Sequence, residues 1–513
     1  MTRPVAHGLA WTAAGFVGSG AVSLLASMAL TRLLPPAAFG EVALAMTLIS
    51  SALLLVDLGL SPAIVQRQGD VGPAATSAFV VQCATAVVVA SSLALGAGAI
   101  AHAFDMPSLA PVLRALSLVC VLRALMLVPR ALLQRRFGFR QQSAADMVEA
   151  VTRAAIAIPL AWFGWGAASL VVGELSSQVT EVACTWWLCR WRPERAGWQP
   201  AVLRDLGRFG RPMLGATLAI QARSQVDRIA VGALLGPVAL GYYHLANRLA
   251  ALPVSGIIHV SNRVMYPVYA AAVDADARRA AYLRTLGMTS QLAFAVCTGL
   301  IAVATPLVYV VFGAGWQPVV RPLQALLLAS LVSTVSATTG EIFKAVGRPD
   351  QVLRTALPHA VLLAVSVWIG AGYGLPGVCV AVVASRALAG TAAFVLLMRT
   401  IDLGVGDVWA ALAPAVAASA VMSGAVRVAG AAIPATTAPA IQLAVLVTVG
   451  VAAWAPLAWA LSPDVRRLVT GRSLWRGTRP RGDVRLASSV HPPESTALAD
   501  WARPDTLPED RRP

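Results

Sequence analysis

The residues of this chain best placed to do chemistry are charges set inside apolar text. Arg153, Arg223, Arg248 and Arg386 each interrupt a long hydrophobic run, and Glu149, Glu174 and Asp227 do the same close by. Asp57 ends another such run, in LLLVDLGLSP. A guanidinium is planar, permanently charged and able to bind two oxygens of one phosphate, so several at one level form a seat for a phosphate or diphosphate. Spacing also pairs these groups: Glu149 and Arg153, like Arg223 and Asp227, stand four residues apart on one helix face. Two accounts therefore stay open. One is a cationic cavity that receives an anionic head group; the other is a set of intramembrane ion pairs that tie helices together.

The elements that position these charges follow from composition. Of 513 residues, 58% are hydrophobic and 12% charged, about half the charged fraction of a soluble domain; the mean hydropathy is +0.71. Apolar stretches of about 20 residues, the length that crosses a bilayer as a helix, recur to about residue 460. They are continuous rather than alternating, which predicts an all-α polytopic membrane protein and not a barrel. The net charge of +16 comes from arginine, Lys344 being the one lysine. On a soluble chain that would suggest nucleic acid; here basic loops orient a membrane protein, and no nucleic-acid partner is expected. The six cysteines lie in or at the ends of apolar segments without CxxC spacing, as small buried residues. The run from Leu9 to Leu30 is longer than a signal-peptide core and reads as an uncleaved first helix.

About 14 spans are expected, near 8–30, 41–61, 74–100, 109–130, 143–163, 167–189, 212–235, 238–262, 285–312, 319–341, 353–372, 375–398, 408–430 and 439–461. Arginine alternates between the loops joining them. One set holds Arg67, Arg135, Arg136, Arg140, Arg190, Arg192, Arg195, Arg204, Arg208, Arg278, Arg279, Arg284, Arg348 and Arg399; the other (HAFDMPS, FGWG, GPVALG, AGYGLPG, AAIPATTAP) holds none. The rich set is expected to be cytoplasmic, and both termini with it. Trp186, Trp187, Trp191 and Trp198 read as an interface belt, and the segment from Trp198 to Gly210 as a short interfacial helix. Arg114 and Arg123 read as snorkelling side chains. The expected units are residues 1–200, a six-helix lobe with its following loop; 201–400, a second lobe; 401–461, an extra helix pair; and 462–513, a disordered basic tail.

Counting ~1.5 Å per residue from each span's start puts Arg223 about 17 Å deep and Arg153 and Arg248 about 15 Å deep, with Arg386 also near mid-depth. Asp146, Glu149 and Arg153 form one polar stripe; Glu174, Gln178 and Glu181 form another. Such residues usually face a bundle interior or a water-filled cavity. An internal repeat supports two lobes. LLPPAAFGEVALA from Leu33 matches LLGPVALGYYHLA from Leu234 at seven of 13 positions, among them Pro36/Pro237 and Gly40/Gly241, and FGWGA around Gly164 echoes AGYGL around Gly372. Six spans per copy make this a parallel repeat about the membrane normal, as in transporters whose site lies between the halves.

No Walker A, HExxH or nucleophile-elbow motif is present, and the arginine-poor loops are too short for an extracytoplasmic sugar-transfer site, so an enzyme is not expected. GLAW from Gly8, TRLLPPAAFG from Thr31, VDLGLSPAIVQR from Val56, RSQVDRIAVGALLG from Arg223 and GYYHLANRLAALP from Gly241 resemble the Wzx-type polysaccharide flippases. These belong to the multidrug/oligosaccharidyl-lipid/polysaccharide (MOP) exporter superfamily, and the likeness points to its colanic-acid or succinoglycan branch. The resemblance implies two six-helix lobes in a V shape plus two helices. It implies alternating access that moves an undecaprenyl-diphosphate-linked oligosaccharide across the inner membrane for exopolysaccharide or lipopolysaccharide synthesis. It implies a cationic cavity including Arg223 and Arg248, with Asp227 in the same segments, while Arg153 and Arg386 rest on depth alone. No cofactor is implied beyond a proton or sodium gradient, with Asp227, Glu174, Glu149 and Asp57 as coupling or gating residues. Implied partners are the lipid-linked oligosaccharide, the bilayer, a polysaccharide polymerase and a chain-length regulator. A multidrug cation antiporter of the same superfamily is the rival reading; a membrane sugar polymerase or ligase, or a non-transporting scaffold, are more distant ones.

Overall fold

In a computed structural model of the chain, the described residues are 3–67, 71–136, 138–194, 224–252, 274–348, 350–434 and 436–462, with isolated positions between and after these ranges. Nearly all are helical, and no strand occurs among them. The first lobe contains α1 (Arg3–Leu33), α2 (Pro36–Asp57), the short α3 (Leu60–Gln66), α4 (Gly72–Ala103), α5 (Leu109–Arg135), α6 (Phe139–Trp162) and α7 (Ala167–Cys189). The second contains α8 (Ser224–Leu252), α9 (Ala275–Phe312), α10 (Val320–Ser336), the short α11 (Thr339–Ala345), α12 (Asp350–Ala371) and α13 (Gly374–Thr400). Two helices follow, α14 (Val405–Ala432) and α15 (Pro439–Leu461), and both pack on α9.

Among the described residues, ten helical segments are long and apolar enough to cross a membrane. α6 and α7, of 24 and 23 residues, are also long enough, but they carry the intramembrane charges that lower their hydropathy. α8 holds two crossings. Its Gly236 has φ +81° and is followed by Pro237, which ends one helix and starts the next. The Tyr243 hydroxyl donates to Asp227 Oδ2 at 2.6 Å; in a straight helix residues 16 apart would stand about 24 Å from one another, so the chain has reversed between them. With α1, the described residues hold all or part of fourteen crossings.

The helix starts are legible in the chain. Pro36, Pro73 and Pro439 stand at the first or second position of α2, α4 and α15, where a missing N–H costs nothing. α9 begins ten residues before the expected span, because the Asp274 carboxylate accepts from the Ala277 amide at 2.6 Å and caps it. Arg278, Arg279 and Arg284, expected in a loop, therefore stand on the first turns of this helix.

The first lobe is closed by α1 on α6, α6 on α7, α5 on α7 and α4 on α5; the second by α12 on α13, α10 on α13 and α9 on α10. One apolar core joins them: Leu44, Ile49 and Leu113 cluster with Val231, Leu240, Tyr243 and Phe312. Lipid is as apolar as these side chains, so their association rests on close packing rather than on escape from water. The tryptophan belt is only partly a belt. Trp187 is exposed, but Trp186 and Trp191 pack edge-on against Phe79 at 5.7 and 5.6 Å, and Trp186 donates to the Leu125 carbonyl at 2.9 Å. Trp198, the expected interfacial helix apart from Gln199, and the tail beyond Arg466 lie outside the described residues.

Candidate functional site

The charged stripes on α6 and α7 face each other. These helices run antiparallel, so the middle of one meets the middle of the other. Arg153 is clamped by Glu149, one turn away on α6, and by Glu174 across the seam at 3.0 Å. Gln178 donates to the second oxygen of Glu174 at 3.1 Å. Two turns lower, Arg130 of α5 is held between Asp146 and Glu181. Glu174 and Glu181 are 7% and 2% exposed, so removing either arginine would strand a buried carboxylate.

Beside this ladder lies a pocket of about 440 Å³, lined by Ser19 and Ser23 of α1, Arg123 and Arg130 of α5, Asp146 and Glu149 of α6, Glu181 of α7, and Arg248 of α8. Arg130 and Arg153 each take two carboxylates. Arg123 and Arg248 have no carboxylate within ion-pair distance among the described residues. Arg123 acts electrostatically on Glu149 and Glu181 from within this pocket, so it does not snorkel as its sequence position suggested. Arg248 makes one long hydrogen bond, to the Ser23 carbonyl at 3.3 Å. It and Leu252 come from the second lobe while the other lining residues come from the first, so the pocket is interlobal.

Of the four arginines expected at one level, Arg248 lines the pocket and Arg153 stands in the ladder beside it, on Glu149 and Glu174. Arg386, on α13, belongs elsewhere: it stands in electrostatic reach of Tyr243, beside Asp227. Asp227 is 4% exposed and accepts from Tyr243 and from the Arg228 amide at 2.9 Å. Arg223 lies outside the described residues. Asp57, expected at a gate, has local partners. It accepts from the Ser61 amide in the first turn of α3, from the Ser61 hydroxyl, and from Gln82 of α4 at 2.9 Å, which anchors the α2–α3 corner. Of the lining residues, Arg123 was read from the sequence only as a snorkelling side chain and Arg130 was not singled out. Their spacing, seven residues on one helix face, was the signal. Among the described residues, no three His, Cys, Asp or Glu side chains converge as metal ligands.

The arginine-poor ends of the lobes are sealed to each other. A Cβ on Gly40 would overlap the Pro237 carbonyl, and one on Gly241 would overlap the Pro36 carbonyl. The contact is reciprocal, as a two-fold axis requires, and it uses the residues that the sequence repeat matched. Ser50 of α2 accepts from Gln225 of α8 at 2.9 Å. Trp316 wedges beside the seal, donating to the Thr31 carbonyl at 2.7 Å and packing edge-on against Phe39 and Tyr242. Arg32 donates to the Val310 carbonyl at 2.8 Å.

Comparison with known proteins accords with this geometry. Residues 29–321 match the family model described as polysaccharide biosynthesis protein. The succinoglycan biosynthesis transport protein ExoT of Rhizobium meliloti (strain 1021) is 28% identical over 370 residues, which is 72% of this chain and 75% of that protein. The lipopolysaccharide biosynthesis protein WzxC of Escherichia coli (strain K12) is 23% identical over 351 residues, 67% of this chain and 70% of that one. Among solved structures, the lipid II flippase MurJ in an inward closed conformation superposes with a TM-score of 0.74 at 14% identity, covering 90% of this chain and all of MurJ. An inward-facing multidrug resistance MATE family transporter of the MOP superfamily gives 0.60 at 18% identity over 75% of this chain and 94% of its own. The two-lobed fold is the one these transporters share, and since the family model spans more than half of the sequence, the chain belongs to the polysaccharide biosynthesis protein family of multi-pass membrane proteins.

Proposed function

We propose that this protein is a flippase that moves a polyprenyl-diphosphate-linked oligosaccharide from the cytoplasmic to the outer leaflet of the bacterial inner membrane. The observation that carries the reading is the interlobal pocket with Arg123 and Arg248 on its wall, in a chain sealed at the opposite, arginine-poor end. A diphosphate needs charged donors at mid-membrane depth, and a sugar needs hydroxyl and carboxylate partners; Ser19, Ser23, Asp146 and Glu149 supply the latter. Alternating access follows if the seal at Gly40 and Gly241 opens as the arginine-rich ends close. The named relatives serve succinoglycan and lipopolysaccharide synthesis, which supports a lipid-linked saccharide over a drug cation. Protonation of the ladder carboxylates, Glu149 and Glu174 above all, would loosen Arg153 and offers a route for coupling to a proton gradient.

In a host that lacks this protein but keeps the rest of its polysaccharide pathway, the lipid-linked oligosaccharide should accumulate, reachable only from the cytoplasmic face. Normal amount and normal sidedness, with no redundant flippase present, would sink the reading. The arginine-rich loops and both termini are assigned to the cytoplasm. Single cysteines at Arg348 and Gly372 should then react with an impermeant maleimide from the inside and the outside respectively; the opposite pattern reverses the assignment.

A further inference from the structure

The two lobes are built alike but lined differently at their paired seams. Aligning Gly164 with Gly372, as the FGWGA/AGYGL echo sets them, puts Asp146 opposite Arg354, Glu149 opposite Leu357, Arg153 opposite Val361, Glu174 opposite Val382 and Glu181 opposite Ala389. In the first lobe the α6–α7 seam is stitched by ion pairs. The corresponding α12–α13 seam lacks carboxylates at these positions. It holds a groove of about 690 Å³, lined among others by Pro358, Leu362, Leu388, Ala392, Leu396 and Arg399, within the roughly 300–1,000 Å³ of ligand sites. Apart from Arg354, Thr355, His359 and Arg399, the groove lining is apolar or small.

The groove has the depth of one leaflet. Arg354 and Arg399 stand within about 6 Å of the arginine-rich ends of α12 and α13, at head-group level, whereas Leu362 and Leu388 lie about 18 Å in, near mid-membrane. A site with arginines at the mouth, Thr355 and His359 just below, and largely alkyl surface down to the midplane is complementary to a lipid with a phosphate head. Leu388, on the groove wall, is 62% exposed, so a chain can reach the groove from the side.

We propose that the α12–α13 groove is the docking site for the polyprenyl diphosphate of the substrate in the cytoplasmic leaflet. The diphosphate lies at Arg354 and Arg399, and the first isoprene units lie along Leu362, Leu388, Ala392 and Leu396. The sugar is then free to reach the polar pocket of the other lobe. This rests on the flippase reading above, and it orders the steps: the groove receives the lipid and its diphosphate first, in the cytoplasmic leaflet, and the diphosphate then passes to Arg123 and Arg248 in the interlobal pocket.

The test uses the full-length protein in phosphatidylcholine vesicles with a diazirine-bearing polyprenyl phosphate as probe. Labelling should map to α12 and α13, be displaced by undecaprenyl phosphate and not by a tenfold excess of phosphatidylglycerol. It should fall at least tenfold in Ala392→Trp, which fills the groove, and severalfold in Arg399→Gln, an exposed change that leaves folding intact. Equal displacement by phosphatidylglycerol makes the groove a seat for bulk lipid and overturns the proposal, as does full labelling of both variants. Flipping separates the two readings. If the parent flips and both variants flip at its rate, the groove assignment falls alone. If specific labelling is seen but the parent flips no lipid-linked saccharide, the flippase reading falls and the groove remains.

Discussion

Arg248→Ala is expected to slow appearance of the lipid-linked oligosaccharide in the outer leaflet roughly 100-fold, at unchanged abundance in the membrane. A hydrogen bond between a charged donor and a phosphate oxygen contributes ~1.5–3 kcal/mol net, and each 1.4 kcal/mol is about tenfold, so losing one to two such bonds accounts for the drop. Folding should tolerate the change, because among the described residues Arg248 gives up a single long contact, to the Ser23 carbonyl at 3.3 Å, and strands no carboxylate. Arg248→Lys keeps the charge but not the fork and should fall between the two. Arg153→Ala makes the contrast: it would leave Glu149 and Glu174 without their cation and should lower abundance together with transport. The measurement is transport per molecule, with protein quantified in the same membranes. If Arg248→Ala loses abundance in step with activity, the residue is structural and the pocket is not the substrate's seat.

Gly40→Val should hold the protein open at its arginine-poor end and cut transport by a similar factor. The Gly40 backbone and the Pro237 carbonyl are so close that no side chain fits between them, and the obstacle is main chain, which cannot rotate away. Forcing extra atoms into such a contact costs about 1–3 kcal/mol, enough to shift a two-state balance roughly 5- to 150-fold toward the state in which the contact is broken. Gly241→Val should act alike, since the contact is reciprocal. The readout is a single cysteine replacing Ser19 in the pocket, in a background freed of the six native cysteines. An impermeant thiol reagent applied from the outer side should reach it in Gly40→Val and not in the parent. Unchanged labelling with unchanged transport would mean that the seal does not gate.

Much of this architecture is local in origin. Whether a span is apolar enough for lipid, and whether its flanking loop holds arginine, are properties summed residue by residue, so the fourteen crossings and their alternation could be read without neighbours. The repeat was equally visible: Pro36/Pro237 and Gly40/Gly241 are identities in the text. So were the stripes on α6 and α7, because 3.6-residue periodicity places Asp146, Glu149 and Arg153 on one side before any partner is known.

What one helix meets was decided only by the tertiary structure. Depth alone put Arg153, Arg248 and Arg386 at one level, but the rotation of each helix about its axis sends Arg248 into the pocket with Arg123, while Arg386 is not among the pocket's lining residues. A reversal at Gly236 brings residues 16 apart into a 2.6 Å hydrogen bond, which no helical periodicity encodes. Matching glycines suggested symmetry, yet that they touch across the lobes, and so close one end, depends on helices far apart in the chain packing within lipid. There the apolar surface is everywhere satisfied, so only shape and polar pairing choose the partner.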